Sequence, residues 1–340
     1  MATLADVAHL AGVSPATVSR IVNGSSKPVA EALRLRVLAA VEELQYVPNA
    51  HAQLLARSHR SAIGVIVHDV SDPYFAEITR GLQRVATESG RLVIICNSYR
   101  QPEKELEYVE LLRAQQAAAI ILAGSGYHDD AFTTTLNSKL RVYQATGGRI
   151  AVIGRHEYVG DAVVPDNETG GYLLGDELYG LGHRRIGVIA GPKQLTTTTD
   201  RIVGLRRAAR DHQRQLPARR IVYGDFDRAS GAAAAAALLD AEPNLTAIAA
   251  LNDSMAVGVL ALLRSRGVAV PDEVSVVGFD DMPIASDVTP ALTTVRLPLT
   301  EMGARAVTLA LQPSADGNGP RIEHMSAELI RRESSGPPRP

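Results

Sequence analysis

The stretch TLADVAHLAGVSPATVSRIVNG, residues 3–24, decides the first domain of this chain. Thr3 and Asp6 have the spacing of a helix capping box, with aspartate in the place usually taken by glutamate or glutamine. Leucine, valine and alanine follow at helical spacing. Gly12 is expected to end this first helix, because glycine readily adopts the left-handed conformation found just past a helix end.

A second helix is predicted to start at Ser14 and Pro15, the residue types preferred at the N-cap and the first helical position. Asn23-Gly24 ends it. A third helix is predicted over residues 30–45, and its buried stripe consists of Leu33, Val37, Val41 and Leu44. Three short helices, the first two joined by a tight turn that contains glycine, predict a helix-turn-helix unit.

The charge of the chain is unevenly distributed. Residues 1–60 hold six lysines and arginines against four acidic residues, so this segment carries +2. The whole chain carries −2, so the remainder carries −4. The net charge alone argues against nucleic-acid binding, whereas a mildly basic head on an acidic body is compatible with a local DNA-binding surface.

From residue 62 onward, unbroken apolar runs alternate with amphipathic stretches such as 75–89, 103–115 and 168–181. The runs are AIGVIV (62–67), RLVIIC (91–96), AAAIILAG (117–124), RIAVIG (149–154), RIGVIAG (185–191), LTAIAALN (245–252) and EVSVVGFD (273–280). Unbroken apolar runs are typical of parallel strands buried on both faces, and their alternation with helices predicts doubly wound sheets. About 280 residues of this pattern predict two α/β lobes.

The predicted domain boundaries follow from these patterns. The segment PALTTVRLP (290–298) is interpreted as a return crossing between the lobes, followed by a last helix and strand. The tail 331–340 is expected to be frayed. The divisions are a DNA-binding head (1–48), a hinge and linker (49–61), a body (62–330) with lobes 62–160 plus 293–330 and 161–292, and the tail.

Composition excludes several classes of protein. Cys96 is the only cysteine, so a disulfide within the chain and a thiolate metal cluster are excluded, which points to a reducing cytoplasm. Its place inside LVIICN predicts a small buried hydrophobe. No apolar run reaches the roughly 18 residues of a transmembrane helix. Asp6 and the lack of a continuous apolar segment argue against a secretory signal.

Enzyme signatures are also missing from the sequence. No Ser-His-acid order, P-loop, HExxH or GxGxxG follows a predicted strand, and GVIAGP is interpreted as a strand end. The spacing of histidines and acidic residues does not suggest a metal site. We therefore expect no enzyme activity, no catalytic residues, no cofactor and no metal.

Eight blocks of the sequence, in order, resemble the lactose-repressor-type (LacI/GalR) family of bacterial transcription regulators. They are residues 3–24, EELQYVPNAHAQLLA (42–56), GVIVHDVSDPYFAEI (64–78), GHRRIGVIAGP (182–192), YGDFDRASG (223–231), LNDSMAVG (251–258), VPDEVSVVGFDD (270–281) and TPALTTVRLP (289–298). The resemblance implies a helix-turn-helix head and a body like a periplasmic sugar-binding protein. In such a body two lobes are joined by three crossings and the ligand lies in the cleft.

The second helix of the head is the candidate for reading DNA. Thr17 and Ser19 offer hydroxyls to phosphates, and Arg20 has the reach to contact guanine in the major groove. The alternative is that Arg20 is only a solvated surface residue. The resemblance implies that Pro15, Ala16 and Arg20 face base edges. The predicted DNA-contacting set of the head is completed by Thr3, Ser14 and Asn23.

The resemblance to the family implies a second DNA-contacting element in the linker. The family's hinge helix inserts a leucine into the minor groove, and alignment assigns that role to Leu55, flanked by Asn49, Ala52 and Gln53. The sequence departs from the family pattern, because Gln53 replaces a common arginine and Leu54 a common serine. The assignment therefore stays open between Leu54 and Leu55, and both leucines packing against the body is the alternative.

The effector site is expected where parallel strands end. Asp166-Asn167 is interpreted as a helix cap, and Leu195 stands where some purine-binding relatives have arginine, which argues against a nucleobase ligand. Tyr74 and Phe75 have the alternative of being core residues of the following helix. The predicted effector-binding residues, assigned by family block, are Tyr74, Phe75, Arg155, Thr197, Arg201, Phe226, Asn252 and Asp280.

The resemblance implies a cytoplasmic, allosteric homodimer that represses genes by binding palindromic operator DNA, associated with the nucleoid when bound. A sugar or related small metabolite is the expected effector, and no membrane partner is expected. The effector would change the angle between the lobes and so the spacing of the two hinges. The alternative is a solute-binding sensor without a DNA-binding role, against which the head and the missing secretory signal argue.

Overall fold

The computed structural model describes residues 2–22, 29–46, 62–158, 160–312 and 319–339. Contacts between residues divide the chain into two compact units, Met1–Ser61 and Ala62–Pro340.

The described residues of the head form three helices, α1 (Leu4–Ala11), α2 (Pro15–Val22) and α3 (Glu31–Glu43). The capping box is confirmed, because the Thr3 side chain accepts from the Asp6 backbone N–H and the Asp6 carboxylate accepts from the Thr3 N–H. Gly12 ends α1 in the left-handed conformation, with φ 62°. The small core is built around three fully buried valines, one from each helix, Val7, Val18 and Val37.

The body contains two six-stranded sheets, each flanked by helices. The strands are β1 (Ala62–Val67), β2 (Leu92–Asn97), β3 (Ala119–Ala123), β4 (Arg149–Ile153), β5 (Asp161–Pro165), β6 (Ile186–Ala190), β7 (Ile221–Tyr223), β8 (Ala247–Ala250), β9 (Ser275–Asp280), β10 (Thr293–Arg296), β11 (Ile322–Met325) and β12 (Glu328–Ile330). The first sheet has the order β11-β5-β4-β3-β1-β2 and the second β12-β10-β9-β8-β6-β7. All neighbours pair in parallel except β12, which is antiparallel to β10.

The helices of the body follow the strands as βαβ units require. They are α4 (Pro73–Glu88), α5 (Pro102–Ala114), α6 (Asp130–Ala145), α7 (Asn167–Gly180), α8 (Thr196–Asp211), α9 (Arg228–Ala241), α10 (Asp253–Ser265), α11 (Ile284–Asp287) and α12 (Leu299–Leu311), with a 3₁₀ turn at Ala218–Arg220. All seven predicted apolar runs overlap a strand. The runs 62–67, 117–124 and 185–191 are buried as expected for central parallel strands.

Three crossings join the lobes, as the resemblance implied. They run from β5 to α7, from β10 to α12 and from β11 to β12. Asp166 caps α7 with its carboxylate, which accepts from the Thr169 N–H at 3.0 Å. The predicted capping role at this crossing is therefore confirmed.

The predicted lobe boundaries are wrong by one strand at each crossing. β5 belongs to the first lobe, because its residues pair in register with β4, for example Ala162 with Val152. β10 and β12 belong to the second lobe, because β10 pairs with β9 and β12 pairs with β10. The short run DAVVP (161–165) gave no strong strand signal, and Thr293-Thr294 interrupts the apolar pattern that would have identified β10.

The predicted frayed tail is also corrected. Residues 331–339 lie along the second lobe, and Ser334 is fully buried. Its hydroxyl donates to the Val276 carbonyl at 2.6 Å and accepts from the Thr293 N–H at 2.8 Å. A polar, proline-rich composition predicted fraying, but the unpaired backbone groups of the adjacent strands bind the segment.

The run RLVIIC differs from the other apolar runs because β2 is an edge strand. Leu92 is 73% exposed, and Ile94 and Ile95 are also exposed. Cys96, predicted to be buried, is only half-buried, and burial raises the pKa of its thiol. An apolar face on a sheet edge is open to pairing with another chain.

Candidate effector cavity and DNA-contacting helix

A narrow cavity with about 30 Å³ of enclosed space lies between the two lobes, where strands of both sheets end. It is lined by His68, Asp72, Tyr74, Phe75, Arg100, Gly124, Ser125, Leu195, Thr197, Arg201, Phe226, Asn252 and Asp280. Seven of the eight residues predicted for the effector site are in this set, and they come from the ends of five different strands or from the segments that follow them.

Arg201 and Asp280 form a buried ion pair on the floor of the cavity. The Arg201 Nη2 donates to Asp280 Oδ1 at 2.9 Å, and the two side chains are 2% and 4% exposed. Arg201 also donates to Asn167 Oδ1 and to the Leu251 carbonyl, and its guanidinium stacks on the Phe279 ring at 3.6 Å. Arg201 is thus fixed by the fold, and Asp280 presents the remaining acceptor capacity.

The carboxyl of Asp280 titrates far above its ordinary range. Burial raises its pKa to about 7, although Arg201 opposes the shift. A neighbouring carboxyl, Asp253, is also fully buried, and burial raises its pKa strongly. Asp253 accepts from the Thr294 hydroxyl at 2.6 Å and from the Met282 N–H at 2.7 Å, so it joins strand ends beneath the cavity.

Asn252 and Phe226 are held together by hydrogen bonds. Asn252 caps α10 by accepting from the Met255 N–H at 2.9 Å, and its amide donates to the Phe226 carbonyl at 2.8 Å. Phe226 has a positive φ of 62°, which is unusual for a phenylalanine. The Asn252 hydrogen bond supports this strained conformation and directs the ring into the cleft.

Tyr74 and Phe75 form the aromatic wall of the first lobe. Their rings meet edge to face, with centroids 5.0 Å apart. Phe75 is buried and belongs both to the core and to the cavity lining, so its two alternative roles coexist. Burial raises the pKa of the Tyr74 hydroxyl, which keeps it a neutral donor. Asp72 caps α4 just before these residues, accepting from the Tyr74 N–H at 3.0 Å.

Four polar lining residues were missed by the sequence prediction: His68, Asp72, Arg100 and Ser125. His68 and Asp72 follow β1, Arg100 follows β2 and Ser125 follows β3. The rule that ligands bind at strand ends could have found them, because it applies equally to the second and third strands. The prediction had drawn no residue from those two strand ends.

A buried hydrogen-bond network supports His68 from behind the cavity. Tyr127 donates to Glu105 Oε1 at 2.9 Å, the Ser98 hydroxyl donates to the same oxygen at 3.2 Å, and His68 Nε2 lies 3.4 Å from it. Burial acts to raise the pKa of the Glu105 carboxyl, but the hydrogen bonds from His68 and Tyr127 outweigh it and lower that pKa. The ionised carboxylate therefore orients the His68 ring.

Arg155 does not line the cavity, so its predicted effector contact is corrected. Its guanidinium donates from Nε and Nη2 to Asp200 at 2.9 and 2.6 Å, and Asp200 belongs to the other lobe. Thr197 lines the cavity and also bridges the lobes, because its hydroxyl accepts from Ser125 at 2.6 Å. Two backbone hydrogen bonds cross the same boundary: the Thr196 N–H donates to the Gly126 carbonyl, and the His128 N–H donates to the Gln194 carbonyl. The lobes are in contact along this rim.

In the head, α2 exposes the side chains that were predicted to face base edges. Pro15, Ala16 and Arg20 are exposed, whereas Val18 is fully buried. Ala16 therefore does not pack in the core of the head. The Ser14 and Thr17 hydroxyls lie 2.9 Å apart, and Ser14 also accepts from the Thr17 N–H, so Ser14 caps α2 as predicted.

The other residues predicted to contact DNA differ in their exposure, and several lie outside the described part of the chain. Thr3 is exposed and its hydroxyl donates to Asp6 Oδ2 at 2.7 Å. Ser19 is half-buried. Asn23, Asn49, Ala52, Gln53 and Leu55, together with Leu54, lie outside the described residues.

Within the described ranges, no helix is both long and apolar enough to cross a membrane. In that same part of the chain, no three histidine, cysteine, aspartate or glutamate side chains form a group that could hold a metal ion.

A helix-turn-helix head and a two-lobed body with a polar cavity define a class of protein, the ligand-responsive transcriptional regulators that bind DNA. Sequence comparison agrees with this class. The family model described as "Bacterial regulatory proteins, lacI family" matches residues 3–49, and that of a "Periplasmic binding protein-like domain" matches residues 176–335. The chain belongs to the LacI family and is a regulator rather than an enzyme.

Particular relatives are similar over their full length. The HTH-type transcriptional regulator GalR of Salmonella typhimurium strain LT2 is 36% identical over 99% of this chain and 97% of that protein. A crystal structure of the lac repressor dimer bound to operator and the anti-inducer ONPF has a TM-score of 0.86 at 27% identity, covering 98% of this chain and 99% of that one. A transcriptional regulator CelR–cellobiose complex has a TM-score of 0.72 at 30% identity, covering 98% and 100%.

Proposed function

We propose that this protein is a repressor that binds a palindromic operator as a homodimer and responds to a sugar or related polyhydroxylated metabolite. The effector class is inferred from one observation: the buried Arg201–Asp280 ion pair and several aromatic rings line the same cavity. A carboxylate accepts hydrogen bonds from sugar hydroxyls and a guanidinium donates hydrogen bonds to them. Aromatic ring faces cover the apolar C–H patches of a sugar. A relative whose structure is described as a complex with cellobiose supports this class.

Asp280, Asn252 and Thr197 are proposed to bind effector hydroxyls. Asp280 retains acceptor capacity because Arg201 occupies only one of its oxygens in the hydrogen bonds described above. Arg201 is proposed to position Asp280 more than to bind the effector, since three of its donors are already used. Tyr74, Phe75 and Phe226 are proposed to cover the ring faces of the sugar.

In the head, Arg20 is proposed to read guanine, and the exposed Pro15 and Ala16 to make apolar contact with base edges. Thr17 and Ser19 are proposed to bind phosphates, with Thr3, Ser14 and Asn23 beside them. Leu55, with Asn49, Ala52 and Gln53, is proposed as the minor-groove element on the basis of the family resemblance. The side chains of Pro15 and Ala16 cannot form hydrogen bonds that distinguish bases. The shape and deformability of the DNA therefore contribute to operator choice.

The exposed edge of the first sheet favours a homodimer. Leu92, Ile94 and Ile95 on β2 would bury their apolar side chains against a second copy of the chain. A two-fold dimer matches the symmetry of a palindromic operator. Because the regulator acts on DNA, we place it in the cytoplasm, associated with the nucleoid while it is bound.

The proposed mechanism is a population shift between two lobe arrangements. The effector binds residues of both lobes, so it favours the arrangement in which those residues converge. A change in lobe angle alters the spacing of the two 49–61 segments in the dimer, and operator affinity changes with it. The sign of the change distinguishes an inducer from a corepressor.

Two measurements test the proposed function. Selection of bound sequences from random double-stranded DNA should return a palindrome, and a mobility-shift assay with it should show affinity that falls steeply with salt. A thermal-shift screen against sugars should identify ligands that raise the melting temperature, because a ligand stabilises the state it binds. Failure to select any palindrome would contradict the repressor assignment.

A further inference from the structure

Five arginines gather at one corner of the second lobe, on the edge of its sheet opposite the effector cavity. The parallel strands β6, β7 and β8 end near the cavity, so the residues that precede them lie together at the other edge. We call this set the arginine corner: Arg184 and Arg185 before β6, Arg219 and Arg220 before β7, and Arg214 between α8 and β7.

Hydrogen bonds join the arginine corner across the three strands. Arg219 and Arg220 donate from Nε to the two carboxylate oxygens of Glu242, at 2.6 and 3.1 Å. Glu242 lies just before β8. The Arg185 carbonyl accepts from the Thr246 N–H at 3.0 Å, at the start of the same strand. The residues that precede β6, β7 and β8 are therefore neighbours.

Arg214 lies in the same patch. Burial raises the pKa of the Tyr179 hydroxyl, and the positive charges of Arg220 and Arg214 oppose that rise. Both guanidinium groups are therefore close to one hydroxyl. Arg214 follows the end of α8 at Asp211, and its side chain is exposed.

The arginine corner has more positive charge than its acidic neighbours balance. The five arginines and Glu242, the carboxylate that two of them contact, sum to +4. Arg184, Arg185 and Arg214 are exposed and have no ion-pair partner in the described part of the chain. Residues 61–340 together carry −4, so the rest of that segment carries −8. The corner is thus a basic patch on an acidic body.

Local structure does not explain the cluster. An arginine in the last turn of a helix balances the negative end of the helix dipole, and Arg210 and Arg264 have that position. The five residues of the corner lie outside the α-helices. Acidic residues near this edge have other partners: Asp176 contacts His212 at 2.7 Å, Asp240 contacts Arg266 at 2.9 Å, and Asp211 lies near the Tyr172 hydroxyl. The excess charge is therefore available to a partner.

The composition of the corner fits a phosphate backbone better than a protein surface. Protein interfaces are built around an apolar core. No large apolar side chain is exposed within residues 181–185 or 212–220, which the structure describes in full. Guanidinium groups bind phosphate oxygens in a two-point geometry, and glutamine amides such as those of the exposed Gln213 and Gln215 also donate to phosphates.

We propose that the arginine corner binds the phosphate backbone of double-stranded DNA, without reading its sequence and in addition to the head. A regulator bound to its operator through the head thereby holds a second DNA segment. Each contact is weak, but a second segment of the same DNA molecule is present at a high local concentration, which compensates for low affinity. The inference requires no effector.

The test first saturates the head. The full-length protein is immobilised through a short biotinylated duplex that contains only the selected palindrome, and a labelled duplex of unrelated sequence is added. We expect the labelled duplex to be retained at about 50 mM salt and largely released at about 200 mM, because binding through phosphates weakens steeply with salt. A salt titration with the unrelated duplex alone needs no operator and reports the number of phosphate contacts.

Matched triple variants locate the contact. Arg184→Gln/Arg185→Gln/Arg214→Gln removes three unpaired charges and leaves Glu242 paired. It should weaken capture of the labelled duplex at least about tenfold. Each phosphate contact contributes roughly 0.9 to the slope of log K against log salt, so the slope should fall by about 2–3.

The control variant removes three exposed positive charges from other parts of the body. Arg84→Gln and Arg141→Gln lie on α4 and α6 of the first lobe, and Lys193→Gln follows the opposite end of β6. This variant should change neither the capture nor the slope. Thermal unfolding and operator affinity verify that each variant is folded.

The outcomes distinguish this inference from the proposed function. If the natural protein retains no labelled duplex at low salt, or if both triple variants retain it equally, the corner does not bind DNA although the operator-binding head stands. If sedimentation shows self-association at low salt that only the corner variant loses, the partner is the acidic surface of a second copy, which also overturns the DNA assignment. The proposed function fails separately, when no palindrome is selected.

Discussion

Arg155 of the first lobe and Asp200 of the second form a two-point ion pair at the rim of the cleft, with donor–acceptor distances of 2.9 and 2.6 Å. Neither residue lines the effector cavity. The pair therefore acts on the effector only through the arrangement of the lobes. It stabilises the arrangement in which the cavity-lining residues converge, so removing it should test the proposed population shift.

Arg155→Ala should weaken effector binding without changing the preference among sugars. The pair is partly exposed, so its loss should cost at most about 1 kcal/mol, or roughly fivefold in affinity. Calorimetry with the best sugar measures the change. Asp200→Ala should have the same effect, and the double variant should not be weaker than either single one, because they remove one interaction. Fully additive losses would argue that the pair does not act as a unit.

Asp280 should make effector binding depend on pH. Because burial raises the pKa of its carboxyl to about 7, part of the population is protonated at neutral pH. A sugar hydroxyl donates to the ionised carboxylate, so binding is linked to proton release. We expect affinity to increase as pH rises from about 6 to about 8, with the Asp280→Asn variant showing a flat profile by calorimetry. The same slope in both proteins would assign the dependence to another group.

The same carboxyl should affect the stability of the ligand-free protein. Its folded-state pKa lies above the ordinary value of 3.8, so the folded state binds the proton more tightly than the unfolded state. Its contribution to the free energy of unfolding is therefore present at low pH and lost as pH rises from about 4 to about 7. Denaturant titrations of the natural protein and of Asp280→Asn, subtracted at each pH, measure this contribution. A difference that grows with pH would contradict the assignment.

Arg20→Ala should remove operator discrimination and leave effector binding intact. A bidentate arginine–guanine contact is worth about 1–3 kcal/mol of discrimination against the wrong base. Competition mobility shifts with the selected palindrome and with single-base variants measure this difference. Arg36→Ala removes an exposed arginine from α3 and is the matched control, which should keep the discrimination. An unchanged preference in Arg20→Ala would show that α2 does not read the guanine.

Ser334→Ala should destabilise the body. The buried hydroxyl connects the C-terminal segment to β9 and β10, and its removal leaves the Thr293 N–H without that acceptor. We expect a loss of about 1–3 kcal/mol in the free energy of unfolding by urea titration. Ser265→Ala, at an exposed position on α10, should stay within about 0.5 kcal/mol of the natural protein. Equal stability of both variants would mean that the segment adds nothing to the lobe.

Helix ends and central strands could be predicted because the residues that cause them are close together in sequence. The capping residues Thr3 and Ser14 and the glycine at position 12 predicted the first two helices, because caps depend on groups within a few residues. Unbroken apolar runs predicted the central strands for a similar reason, since burial on both faces requires apolar side chains throughout. The edge position of β2 could not be predicted, because nothing in RLVIIC distinguishes a strand with one neighbour from a strand with two.

The candidate site was predicted where strand ends and family blocks coincided. Tyr74, Asn252 and Asp280 follow strands and line the cavity. Arg155 also follows a strand, yet it pairs with Asp200 instead, because its direction depends on the other lobe. Arg100 was missed although it follows β2, since only the fold brings it into one cavity lining with Phe226, which is over 100 residues away in sequence.

Residues that are neighbours in sequence form the helix caps, the apolar periodicity and the ordered motifs, so the helix-turn-helix head, the α/β class of the body and the family could all be predicted. The lobe that each strand joins, the packing of residues 331–339 on the second lobe and the set of polar groups that share one cavity became known from the folded protein. These features depend on hydrogen bonds and burial between distant segments, and a strand end or a polar tail has the same local sequence whether or not a partner lies across from it.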